Sequence, residues 1–125
     1  MFDSCIKLTR APELPAIAVG KSSYYKMFYD CDLLSSTPSN PLPATILSES
    51  CYESMFENCS NLTTISNSFL PATTYAKQCY LKMFSGCSAL NNVPSDLLSS
   101  SQGKTLKESC FEYMFYNCTA LTAAP

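Results

Sequence analysis

Every methionine in the chain is followed by phenylalanine, at Met1-Phe2, Met27-Phe28, Met55-Phe56, Met83-Phe84 and Met114-Phe115. Four residues after each Met stands a cysteine: Cys5, Cys31, Cys59, Cys87 and Cys118. Three further on comes a leucine, at Leu8, Leu34, Leu62, Leu90 and Leu121. Three more bring Ala11, Thr37, Ile65, Val93 and Ala124, with proline next at Pro12, Pro38, Pro94 and Pro125 and Ser66 in the remaining place. The methionines are 26, 28, 28 and 31 residues apart. A period of this length marks an array of small supersecondary units. Each is too small to hold a core alone, so neighbours must stack.

Within the phrase, apolar residues fall four apart. Leu47, Cys51, Met55 and Cys59 form one such row, repeated as Tyr75, Cys79, Met83, Cys87 and as Leu106, Cys110, Met114, Cys118. In the second phrase the row reads Val19, Ser23, Met27, Cys31. Aromatic pairs flank it: Tyr24 with Phe28, Tyr52 with Phe56, Tyr80 with Phe84, Phe111 with Phe115. Glu49, Glu53 and Glu57 make a third row, expected to face solvent. Four-residue spacing predicts a helix along one slowly drifting face. Leu-Pro-Ala at 14–16, 42–44 and 70–72 reads as its start, since proline is tolerated in a first helical turn.

The stretch Cys59 to Ile65 is short and rich in Ser, Thr and Asn, which predicts one short strand per repeat. Parallel strands need a crossover, and the helix supplies one. The expected fold is an α/β repeat solenoid, with short parallel strands on one side and helices on the other. Residues 1–125 form one domain of about four and a half repeats. Its expected structural core is Met27, Phe28, Cys31 and Leu34, then Met55, Phe56, Cys59 and Leu62, then Met83, Phe84, Cys87 and Leu90. The extra residues of the fourth repeat, Leu98 to Lys104, are expected in a surface loop.

Chemistry is sparse. The net charge is -2 and histidine is absent, so no basic field exists to draw nucleic acid. No run approaches the roughly 18 apolar residues of a membrane span. Met1 to Arg10 lack the charged start and apolar centre of a signal peptide. The cysteine pairs 51/59, 79/87 and 110/118 are eight residues apart, too far for the close pairs that zinc prefers. Across a helix that spacing is about 12 Å, beyond disulfide reach. Pairing between repeats stays open on geometry, but a buried, free, apolar role suits cysteine best. Ser23-x-x-Lys26 and Ser101-x-x-Lys104 match an acyl-enzyme spacing that is common by chance. Without histidine nothing activates a serine or cysteine nucleophile, and three glycines build no phosphate loop. Asn58, Asn61 and Asn117 open Asn-x-Ser/Thr triplets, a pattern too short to carry weight alone. The expectation is a chain without catalysis, metal or cofactor.

The phrases Cys-Tyr-x-x-Met-Phe-x-x-Cys-x-x-Leu and Leu-Pro-Ala-Thr resemble the BspA-like leucine-rich repeats of bacterial surface proteins, over essentially the whole chain. The resemblance implies a leucine-rich-repeat-like solenoid, a cell-surface or extracellular location, and adhesion to a protein or glycan. It also implies that the chain is a fragment of a longer protein or a short relative. The ligand face is expected along the strand side, at Arg10, Ser36, Thr63, Thr64, Asn91 and Asn92. A purely structural spacer is the alternative. Uncovered ends make end-to-end self-association a further expectation.

Overall fold

The computed structural model describes residue 5 and residues 7–122. The first Met1-Phe2 phrase, Ile6, and Ala123, Ala124 and Pro125 lie outside the described residues. Among the described residues there is no α-helix. One 3-10 helix, Ser99–Ser101, sits in the extra stretch of the fourth repeat, which is otherwise largely exposed as a loop should be. Among the described residues strand pairing is limited to isolated parallel bridges, Ser36 to Thr64, Thr64 to Asn92, and Ile46 to Thr74. The chain is therefore not an α/β leucine-rich-repeat solenoid of strands and helices.

What replaces the helix is a ribbon of β-turns. From Ser22 to Cys31 every odd-numbered N–H closes a turn onto the carbonyl three residues back: Ser23 to Gly20, Tyr25 to Ser22, Met27 to Tyr24, Tyr29 to Lys26, Cys31 to Phe28. Every even-numbered N–H leaves the segment and donates to the next repeat. Ser22, Tyr24, Lys26, Phe28 and Asp30 reach the carbonyls of Glu49, Cys51, Glu53, Met55 and Glu57 at 2.8–3.0 Å. The segment around Met55 does the same onto Lys77, Cys79, Leu81, Met83 and Ser85, and the segment around Met83 onto the one around Met114. From 50 to 57 each backbone donor and acceptor is thereby used, half locally and half between repeats.

Every second turn needs a left-handed residue at its third position, a demand that recurs every four residues. Those residues are Ser22, Lys26 and Asp30; Ser50, Ser54 and Asn58; Gln78, Lys82 and Gly86; Ser109, Tyr113 and Asn117, with φ between +52° and +75°. The column three after Met27, Met55, Met83 and Met114 holds Asp30, Asn58, Gly86 and Asn117, the residue types that tolerate this backbone best. Leu-Pro-Ala starts no helix. Leu42 there donates to Phe69, and irregular backbone with a bend at Thr45 leads to the bridge from Ile46 to Thr74.

A ribbon with a repeat of four residues keeps its inner rows aligned. Leu47, Cys51, Met55 and Cys59 are all buried, and so are Tyr52 and Phe56. Glu49, Glu53 and Glu57 stay on the partly exposed side. Stacked repeats then place equivalent rings over one another. Phe28, Phe56, Phe84 and Phe115 follow at centroid distances of 5.2, 5.4 and 5.8 Å, nearly parallel. Tyr24, Tyr52, Tyr80 and Phe111 follow at 5.8, 5.8 and 5.4 Å. Leu34, Leu62 and Leu90 close the core on the far side of the cysteines. On the surface Lys21 meets Glu49 at 3.4 Å and Lys77 meets Glu108 at 3.6 Å. Exposed pairs of this kind add at most about 1 kcal/mol each.

The cysteines after Met55, Met83 and Met114 have a hydrogen-bonding task. Each thiol donates to the carbonyl of the preceding repeat's phenylalanine: Cys59 to Phe28, Cys87 to Phe56 and Cys118 to Phe84, each at 3.1 Å. Burial pushes these three thiols above their ordinary pKa, and Cys51 up to about 12. Cys79 and Cys110 touch through sulfur at 3.3 Å; their shared hydrogen bond holds Cys79 down and pushes Cys110 up. Both are nonetheless shut off from reagent. Alkylation with iodoacetamide at neutral pH should therefore label Cys5 first, since it alone of the eight is half-exposed. Intact mass should show the other seven reacting only in denaturant. Prompt native labelling of several of them would contradict this packing.

Candidate functional site

The row expected to bind is assembled in part. The bridges set Ser36, Thr64 and Asn92 side by side. Thr63 is committed to structure. Its N–H and hydroxyl both donate to the Ser35 carbonyl, and its own carbonyl accepts from Asn91 and Asn92. Asn91 and Asn92 are exposed, Ser36, Thr63 and Thr64 partly so. Arg10 is exposed too, but no bridge among the described residues joins it to the row. The result is a flat strip of short side chains. Of the expected core residues, Phe28, Cys31, Leu34, Met55, Phe56, Cys59, Leu62, Met83, Phe84, Cys87 and Leu90 are buried and Met27 is partly buried.

The Ser-x-x-Lys pairs have other roles. Lys26 lies over the rings of Tyr29 and Tyr25, at 4.5 and 5.5 Å. Desolvation is the largest influence on its ammonium and acts to lower its pKa. Tyr25, Tyr29 and Glu57 together outweigh it, so the net shift is upward, the wrong direction for a base. Ser101 donates its hydroxyl to the Leu98 carbonyl at 2.6 Å.

Sequence reasoning missed a groove on the turn ribbon. It measures about 550 Å³, within the roughly 300–1,000 Å³ common for ligand sites. Three repeats contribute: Glu57 and Asn58, then Lys82, Ser85 and Gly86, then Tyr113, Tyr116 and Asn117. Gly86 opens it. At φ +75° its place favours glycine, and a Cβ there would collide with the Asn58 side-chain oxygen. The column Asp30, Asn58, Gly86, Asn117 thus has a notch in the third repeat, which the Asn58 side chain fills. Above the notch, Tyr113 and Tyr116 replace the smaller or charged Lys82 and Ser85 of the repeat below. These rings are 53% and 57% exposed. They meet edge to face, with centroids 5.5 Å apart at 74°. The corner is stiff, because Asn58 N–H donates to Ser85 and Gly86 N–H to Tyr116, both at 2.7 Å. Two tyrosines three apart, at positions polar in the neighbouring repeat, were the available sequence signal.

A smaller hollow of about 220 Å³ lies beside Glu13, Leu14, Pro15, Asn40, Pro41 and Pro43. The Glu13 carboxylate there is already occupied. It accepts from the Ser39 hydroxyl and N–H and from the Asn40 N–H, contacts that hold its pKa down. Asp96 is likewise held down by the hydroxyl and N–H of Ser68.

Among the described residues no group of three or more His, Cys, Asp or Glu is placed to hold a metal ion. None of their helices is long and apolar enough to cross a membrane. No protein family, curated protein or solved structure matches this chain.

Proposed function

We propose that the chain is a non-catalytic recognition module of a bacterial cell surface, adhering to a protein or glycan. The resemblance of its Met-Phe-x-x-Cys-x-x-Leu phrase to BspA-like repeats supports the location and the role. The observation that carries the reading is the exposed Tyr113–Tyr116 pair beside a groove shared by three repeats. Large aromatic side chains left in water on a framework whose backbone bonds are internally paired are characteristic of recognition surfaces. A structural spacer is the second reading. The flat, short-side-chain strip of Ser36, Thr64 and Asn92 and the hydrogen bonds between repeats suit a passive rod.

Immobilised chain should retain at least one ligand from a set of extracellular-matrix proteins and oligosaccharides, measured by surface plasmon resonance. A version with twice the repeats should hold it more tightly if repeats act together. Failure with every ligand favours the spacer, and turnover of any substrate overturns both readings.

A further inference from the structure

We propose that the groove between Asn58 and Asn117 is a binding site for a neutral carbohydrate, a short run of pyranose residues. This rests on the recognition reading and names its site and ligand class. Four features of the groove converge on that chemistry. Tyr113 and Tyr116 present a ring face and a ring edge at 74°, an apolar corner against which the C–H face of a sugar ring packs. The Asn58 and Asn117 amides each offer both donors and an acceptor, which matches the paired donor and acceptor character of neighbouring hydroxyls. Both amides project from left-handed residues, at φ +63° and +60°, within the hydrogen-bonded ribbon, so their placement costs little on binding. Glu57 and Lys82 balance in charge across the site.

That balance separates the candidates. A phosphate-bearing ligand, a nucleotide included, would meet one ammonium opposed by one carboxylate, on a chain of net charge -2. Two rings packed edge to face at 5.5 Å leave no parallel slot between them for a flat base. An apolar ligand would strand the amides, the carboxylate and the ammonium without partners. A polyhydroxylated neutral ring satisfies every group. Gly86 is what lets the Asn58 amide lie in the groove, since a Cβ there would collide with the Asn58 side-chain oxygen. An open groove with few polar anchors gives weak single-site binding, as expected of a surface that gains strength by repetition.

The test is isothermal titration of the 125-residue chain with chitotriose, mannotriose and maltotriose, alongside surface plasmon resonance with matrix proteins stripped of glycans. At least one trisaccharide should bind. Tyr113→Ala and Tyr116→Ala should each weaken it at least about tenfold, the loss of about 1.4 kcal/mol of contact. Tyr116→Phe keeps the ring and should stay within about threefold. Tyr25→Ala removes an exposed ring outside the groove and should leave binding unchanged. Tyr116 is exposed, so its variants should fold, and matching thermal unfolding would confirm it. A trisaccharide that binds the Tyr113→Ala and Tyr116→Ala variants as well as the parent overturns the groove site. Retention of a glycan-free protein with no response to sugars overturns the groove but leaves the recognition reading standing. No response to sugars or proteins overturns both.

Discussion

Phe56→Ala should lower the unfolding free energy by about 3–5 kcal/mol, the range for truncating a buried aromatic ring. Phe56 is fully buried between Phe28 and Phe84, at 5.2 and 5.4 Å, and is tilted against Phe69 at 6.1 Å. Its backbone is pinned as well. The N–H donates to Met83, and the carbonyl accepts the Cys59 N–H and the Cys87 thiol. Neighbours held this way cannot collapse into the space, so the cavity persists and the cost lies toward the upper end. Phe115, at the last position of the same column and only partly buried, should cost distinctly less as Phe115→Ala. Urea unfolding followed by circular dichroism measures both. A loss under about 1 kcal/mol at Phe56 would contradict a continuous stacked core.

Ser54→Pro should cost about 3 kcal/mol or more. The Ser54 N–H donates across to Leu81 at 2.8 Å, and proline has no N–H to replace it. Its φ of +54° is also out of reach of a ring locked near -65°. Proline would damage an α-helix too, so the paired measurement is what separates the two conformations. Ser22 is exposed, with φ +54°. Relief of left-handed strain there is worth about 1–2 kcal/mol, against about 0.5–1 kcal/mol for glycine's extra chain entropy. Ser22→Gly should therefore stabilise, by about 0.5–1 kcal/mol. In a helix the same change destabilises. A fall in the urea midpoint for Ser22→Gly would rule out the turn ribbon at that segment.

The groove could not be read along the chain. Glu57, Lys82 and Tyr116 stand in three different repeats, and only stacking brings them to one corner. Tyr113 and Tyr116 look like surface substitutions when each repeat is considered alone. The strip of Ser36, Thr64 and Asn92 was legible because it follows from repeat alignment alone. Its chemistry, with Thr63 tied to Ser35, appears only once the hydrogen bonds are known.

The sequence by itself determined the repeat, its register and the residues that fill the core. It also held a sign against the helix. An α-helix turns about 40° past alignment every four residues. From Leu47 to Cys59 that amounts to about 120°, enough to carry one end of the row out of the core, yet both ends are buried. The Asp30, Asn58, Gly86, Asn117 column was a second sign, since these residue types favour left-handed backbone. Neither sign selects the ribbon alone, because a four-residue apolar row satisfies either conformation over a turn or two. Tertiary structure made the choice. A helix closes all its backbone bonds within itself, whereas this ribbon closes half of them onto the next repeat, as Phe28 does onto Met55 and Phe56 onto Met83. A segment on its own lacks those acceptors, so its conformation is settled only when its neighbour is in place.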